Sequence, residues 1–129
     1  MGIDTSILPD RKVVVTAFSG RVSGEEVLAY QEKVWKDPEL AGFDVLLDFS
    51  DAIRTDVSAE AIRALAAQSH VIDGAVPSRM ALVVADSPVA VTGANLYKAA
   101  RESFPNCARE VRVFSLRAEA GAWLGLPGC

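Results

Sequence analysis

Three short apolar runs, each followed by a helix-start signal, do most to limit what this chain can become. Lys12–Ser19 is rich in β-branched residues, and Phe43–Phe49 sets Val45, Leu47 and Phe49 against Leu46 and Asp48. Met80–Ala85 is apolar throughout. A strand that is apolar on both faces must be covered on both, which is the habit of parallel strands joined by helical crossovers. The intervening segments supply the helices. Ser23-Gly24-Glu25-Glu26 reads as a capping box, with the serine hydroxyl accepting from the Glu26 amide while Glu26 reaches back. The helix it opens carries Val27, Leu28, Val34 and Trp35 on one face and stops before Pro38. Gln31 falls inside that stripe, so it needs a hydrogen-bond partner or a place under a polar cleft.

Ser58 is placed to cap a second helix, with Ile62, Leu65, Ala66, Ser69 and Ile72 as its stripe and an end near Gly74. Asp86-Ser87-Pro88 starts a third, Ser87 as cap and Pro88 at the first helical position. Its expected buried side is Val89, Gly93, Leu96, Ala100 and Phe104. A last strand, Val111–Phe114, precedes a final helix with Leu116, Ala120, Trp123 and Leu124 on one face, closed by Gly125 and Pro127. At the front, Ile3–Leu8 alternates apolar and polar residues, and Pro9-Asp10-Arg11 turns it back as a hairpin onto the next strand. Gly20 is expected to end that second strand, and Ser50–Val57 to form a loop. The predicted order is β-β-α-β-α-β-α-β-α. It describes an α/β protein with a mixed, mostly parallel five-stranded sheet flanked by helices, in one domain over residues 1–129.

The bulk numbers narrow the partners. A chain of 129 residues can bury a core without a metal or disulfide staple. The net charge of -4 and the lack of a Lys/Arg block argue against nucleic acid. No apolar run approaches the ~20 residues of a membrane helix, so no membrane insertion is expected, and no signal peptide is visible. Met1-Gly2 through Ser6 fits a loose myristoylation pattern, but Ile3, Thr5 and Ile7 alternate as a strand does. Cys107 and Cys129 form no CxxC and suggest reduced thiols in a cytoplasm.

Several segments carry a family resemblance: Phe18-Ser19-Gly20-Arg21-Val22-Ser23, Leu46-Leu47-Asp48-Phe49-Ser50, Arg79–Val84, and Val113-Phe114 with Ala122-Trp123-Leu124. Together they resemble the STAS superfamily and, within it, small uncharacterised bacterial proteins grouped with anti-sigma-factor antagonists (SpoIIAA-like). The resemblance implies a mixed sheet flanked by helices, and binding in place of catalysis. In the antagonist branch it implies a regulatory loop, Asp-Ser-Ser-Gly, whose first serine is phosphorylated. That loop falls on Asp56-Val57-Ser58-Ala59. Val57 has no hydroxyl at the acceptor position, which speaks against kinase-regulated switching; a slip of one residue would place Ser58 there.

In a mostly parallel sheet, ligands gather beyond the carboxyl ends of the strands. That edge is expected to collect Asp48, Ser50, Asp51, Asp56 and Ser58 from one connection and Asp86 and Ser87 from the next. The residues suit a divalent-metal or phosphoacceptor site, except that Ser115 stands where such a site wants a lysine. They also suit an anion site at helix N-termini, and the plain work of caps and turns, the commonest role of Asp and Ser in such places, is the favoured reading. His70 is the sole histidine and sits on a helix flank, leaving no Ser-His-Asp, zinc or thiol-imidazole arrangement to assemble. No phosphate-binding glycine motif and no nucleophile elbow occur. No catalytic, metal or cofactor residue is assigned, and an enzyme is not expected.

The third helix offers a possible partner face. Gly93 and Ala94, with Ala90 and Ala99, allow close docking, and Tyr97, Lys98 and Arg101 are read on its flank and outer face. The leading expectation is a non-enzymatic, cytoplasmic binding or regulatory module acting through protein contacts, with an unknown protein partner and a homodimeric state. One alternative is a small apolar-ligand or lipid binder, since the CRAL-TRIO lipid-transfer proteins share a similar sheet. The other is a metal-assisted hydrolase using the aspartate-rich edge.

Overall fold

The computed structural model describes residues 2–54, 58–73, 76–104 and 108–126, without the side chains of Arg54 and Asp73. Its strands are β1 (Gly2–Leu8), β2 (Val13–Val22), β3 (Asp44–Arg54), β4 (Ser78–Val83) and β5 (Arg109–Phe114). They lie in one sheet in the order β1-β2-β3-β4-β5. β1 runs antiparallel to β2, and every other pair is parallel. The helices are α1 (Gly24–Tyr30), α2 (Ala59–Asp73), α3 (Pro88–Glu102) and α4 (Arg117–Trp123). A π turn, Gln31–Trp35, continues α1, and a single 3-10 turn occupies Pro38–Leu40.

Alternation along the strands divides the core in two. Val45, Leu47, Phe49, Met80, Leu82 and Val111 face α1, α2 and α3. Val13, Val15, Leu46, Ala81 and Val83 face the other way, under Ala120 and Leu124 of α4 and Leu126 beyond it. The strand order explains the imbalance. β2 to β5 step across the sheet in one direction, so crossovers of one hand place all three connecting helices on one face. Among the described residues, α4 and Leu126 beyond it cover the other.

The local start signals act as read. Ser23 Oγ accepts from Glu26 N–H at 3.2 Å while Glu26 Oε1 receives Ser23 N–H at 3.3 Å. Ser58 Oγ accepts from Ala61 N–H at 3.0 Å, and Ser87 Oγ from Ala90 N–H at 3.2 Å.

Three expectations need correction. Gly20 does not end β2, and Ser50–Arg54 is strand, not loop. The two strands run on as a two-stranded parallel arm, Ser19–Val22 against Asp51–Arg54, past the last β3–β4 pair at Asp48 and Val83. A bulge between Ala17 and Ser19 and a left-handed Gly20 (φ 71°) let the register resume. Burial of Val22 in the three-helix core holds the arm down.

The second correction concerns α3. Its inward residues are Ala94, Tyr97 and Arg101, whereas Val89 is 80% exposed. The phase is rotated because two polar residues occupy the buried stripe, where their polar atoms find partners on α2. Arg101 and Tyr97 are therefore not an outer partner face, and Ala94, 1% exposed, cannot dock a second copy. Lys98 is part-exposed and paired with Glu102. The third is Leu116, expected on the inner face of the last helix but 57% exposed at its N-cap.

Candidate functional site

Among the described residues the carboxyl-end edge does not converge on one centre. Asp48 is buried on the α4 side of the sheet. One carboxylate oxygen accepts from Ser50 N–H at 2.9 Å and from the Ser50 hydroxyl, and the other lies 3.4 Å from Arg117 Nη1 of α4. Asp51, on the arm, is exposed, and so is Asp86. Ser58 and Ser87 spend their side-chain oxygens on helix amides. Asp56 lies outside the described residues, as does Val57. Among the described residues no three His, Cys, Asp or Glu side chains come close enough to share a cation. His70 stacks on Phe104 with ring centroids 4.5 Å apart and planes 10° from parallel, a packing contact.

The opposite face of the sheet holds a different arrangement. An apolar cleft of about 50 Å³ opens between α1, α2 and α3 over the second half of β3. Leu47 and Phe49 of β3 and Leu82 of β4 make its floor. Val27, Ile62 and Leu65 form two walls, and Gly93 and Ala94 of α3 form the third. Its polar members are Gln31 and Tyr97, so the lining holds no carboxylate, imidazole, thiol or amine.

Gln31 is 1% exposed, and its orientation follows from its neighbour. Gln68 of α2 gives Nε2 to the Leu28 carbonyl at 2.9 Å and to Gln31 Oε1 at 3.1 Å. A backbone carbonyl can only accept, so Gln68 must present its NH2 there, and Gln31 must in turn present its oxygen. That leaves the Gln31 Nε2 donors at the cleft with no protein acceptor among the described residues. The π turn that begins at Gln31 is of a kind that recurs at functional sites. The sequence flagged Gln31 by its place in an apolar stripe; nothing in it pointed to Gln68, 37 residues away.

Behind the cleft, α2 and α3 are joined by a buried polar cluster. Arg101, 0% exposed, donates from Nη1 to Ser69 Oγ at 2.6 Å and reaches the Tyr97 hydroxyl at 3.4 Å, while Ser69 and Tyr97 share a hydrogen at 2.8 Å. A second buried set links Thr16 to Tyr30 Oη at 2.5 Å and Trp35 Nε1 to the same oxygen at 3.2 Å. Burial pushes the Tyr30 phenol above its ordinary value of 10.0, against the hydrogen bonds from Thr16 and Trp35 and the charge of Arg109, which lower it. These clusters fix helix positions around the cleft; neither opens into it except through Tyr97.

No protein-family profile matches the chain, and comparison with curated proteins finds no match. A solved structure does match it: an uncharacterised protein from the DUF3478 family with a SpoIIAA-like fold, from Shewanella loihica PV-4. The superposition covers 95% of this chain and 92% of that one at a TM-score of 0.57, with 15% sequence identity. Identity that low carries the backbone and nothing about ligands. In agreement with the STAS resemblance, this chain has a SpoIIAA-like α/β fold.

Proposed function

We propose that this protein is a non-enzymatic binding module that holds a partner protein by one apolar side chain seated in the α1–α2–α3 cleft. A peptide carbonyl beside that side chain accepts from Gln31 Nε2. The observation that carries the reading is a small apolar cleft with one uncommitted amide donor at its wall. Its volume selects the occupant. A cavity of ~150 Å³ takes a benzene ring, and this one has about 50 Å³. The tip of an aliphatic side chain suits that space, and a side chain seated in a well-packed, desolvated pocket is where interface binding energy concentrates. A regulatory role and a cytoplasmic setting belong to the same reading.

A small apolar ligand or lipid is the second reading, favoured by the apolar lining alone; it requires the three helices to part. A hydrolytic role for Asp48 has less behind it, because Ser50 and Arg117 already engage that carboxylate. The test is selection of a displayed random-peptide library on the wild type, repeated on Gly93→Leu and Gln31→Leu. Enriched peptides should share one aliphatic anchor, and both substitutions should weaken them about tenfold or more. No enrichment, or enrichment indifferent to both, overturns the reading. Native mass spectrometry showing a retained small molecule turns it toward the second.

A further inference from the structure

A second surface lies at the far edge of the sheet, independent of the cleft. β1 ends the strand order and, among the described residues, pairs with β2 alone, so alternate N–H and C=O groups along it face outward. Most of the usual protections of such an edge are missing from β1: it contains no lysine and no proline, its register with β2 has no bulge, and its one charged residue is Asp4. Ile3 and Ile7 are 38% and 45% exposed. Beside them a groove of about 490 Å³ runs between Ile3 and Thr5 and the outer side of α1, over Ala29, Tyr30 and Val34. Glu26 and Lys33 also line it. They stand seven residues apart, which is ~10 Å along a helix, so they mark its two ends.

We propose that a second copy of this chain docks here, β1 against β1, antiparallel about a twofold axis that passes through Thr5 and joins the two sheets into one. The strand sequence is what selects a copy of itself. Ile3, Thr5 and Ile7 share the face of their β2 partners Phe18, Thr16 and Val14. A twofold axis normal to the sheet keeps helix-side residues opposite helix-side residues, so it must pass through a residue and not between two. Through Asp4, it sets two carboxylates against each other. Through Ser6, it sets Asp4 against Leu8. Through Thr5, Ile3 meets Ile7 twice, Asp4 meets Ser6, and Thr5 meets itself. Apolar β-branched pairs stabilise a ladder and like charges destabilise it, so the Thr5 axis is selected.

The charges beside the strand agree. The same axis reverses α1 relative to its copy, bringing the Glu26 end of one groove toward the Lys33 end of the other. Lys33 forms no ion pair among the described residues, and Glu26 commits only Oε1 to its capping box, leaving Oε2 to accept. An unrelated extended peptide would satisfy the outward backbone groups but not this reciprocal pairing.

Light scattering after size exclusion of the full chain, at tens of micromolar, should give twice the 13.7 kDa of one chain. Ile3→Lys and Ile7→Lys should each raise the dimer dissociation constant about tenfold or more. At concentrations low enough for the wild type to be monomeric, their melting curves should match it, because both side chains stand at the surface. Lys33→Glu should weaken the dimer more at low salt than at high. Hydrogen exchange of the wild type should show β1 amides gaining protection as concentration rises, which decides the matter even if a lysine variant fails to fold. A monomer throughout, a dimer indifferent to these substitutions, or protection gained away from β1 overturns the proposal.

Discussion

The two faces of the sheet are built from the same strands and yet use their residues differently. Under α4 the core from Val13, Val15, Leu46, Ala81 and Val83 to Ala120, Leu124 and Leu126 is apolar, and the buried carboxylate of Asp48 stands beside it, held by Ser50 and Arg117. Under α1, α2 and α3 it includes Thr16, Gln31, Ser69 and Arg101, all at 1% exposure or less. Buried polar groups add little net stability and cost much when a partner is lost. A face that contains them has exchanged ease of packing for fixed geometry, and the cleft lies on that face. The apolar cluster under α4 has only shape to satisfy, so substitutions within it should act on stability alone.

The largest effect expected from breaking this contrast is at Arg101. Arg101→Ala removes a fully buried guanidinium and empties its site, and should lower stability by about 3–4 kcal/mol. Urea denaturation measures the loss. A loss under ~1 kcal/mol would mean that the cluster is incidental to the packing of α2 on α3.

Leu124→Ala is the matching lesion on the other face. It should cost about 2–3 kcal/mol by transfer and cavity terms, while peptides selected on the cleft bind the folded fraction unchanged. Altered peptide binding by the folded fraction would show that the two faces are coupled through the sheet.

Tyr30→Phe sharpens the comparison with pH. It leaves Thr16 and the Trp35 N–H without their shared oxygen, a cost of about 1–2 kcal/mol near neutrality. Because burial raises the phenol's pKa, folded Tyr30 keeps its proton at pH values where the unfolded chain releases it. The wild type therefore holds this contribution in full below pH 10.0 and loses it as pH rises above, whereas the phenylalanine variant does not. The stability gap between the two should narrow in alkaline denaturation series; a gap constant through pH 11 contradicts the raised phenol.

The smallest effect has the opposite sign. Gly93→Ala should stabilise α3 by about 1 kcal/mol through helix propensity while narrowing the cleft and weakening anchored peptides. Thermal melts and peptide titration read the two halves separately. Gain of stability with no loss of binding would mean that the wall at Gly93 is not part of the binding surface.

What the sequence determined by itself is whatever closes within a few residues. The capping box of Ser23 and Glu26, the Ser58 cap, the Ser87-Pro88 start and the β1–β2 hairpin are each set by neighbouring atoms. Together with the apolar runs they were enough to read the element order and the mixed sheet. Alternation in β3 and β4 even showed that both faces must be covered, because a strand's periodicity survives any partner. Only the tertiary structure decided the rest. Arg101 turns to the core, where it meets Ser69, 32 residues away, and Asp48, held by its neighbour Ser50, also meets Arg117, 69 residues away. β2 and β3 run on past their expected ends because Val22 finds a core to enter. Gln31 was conspicuous in the sequence, but its free donors were not. They exist because Gln68 reaches across from α2 and claims its oxygen, and a hydrogen bond of that separation leaves no local trace in either segment.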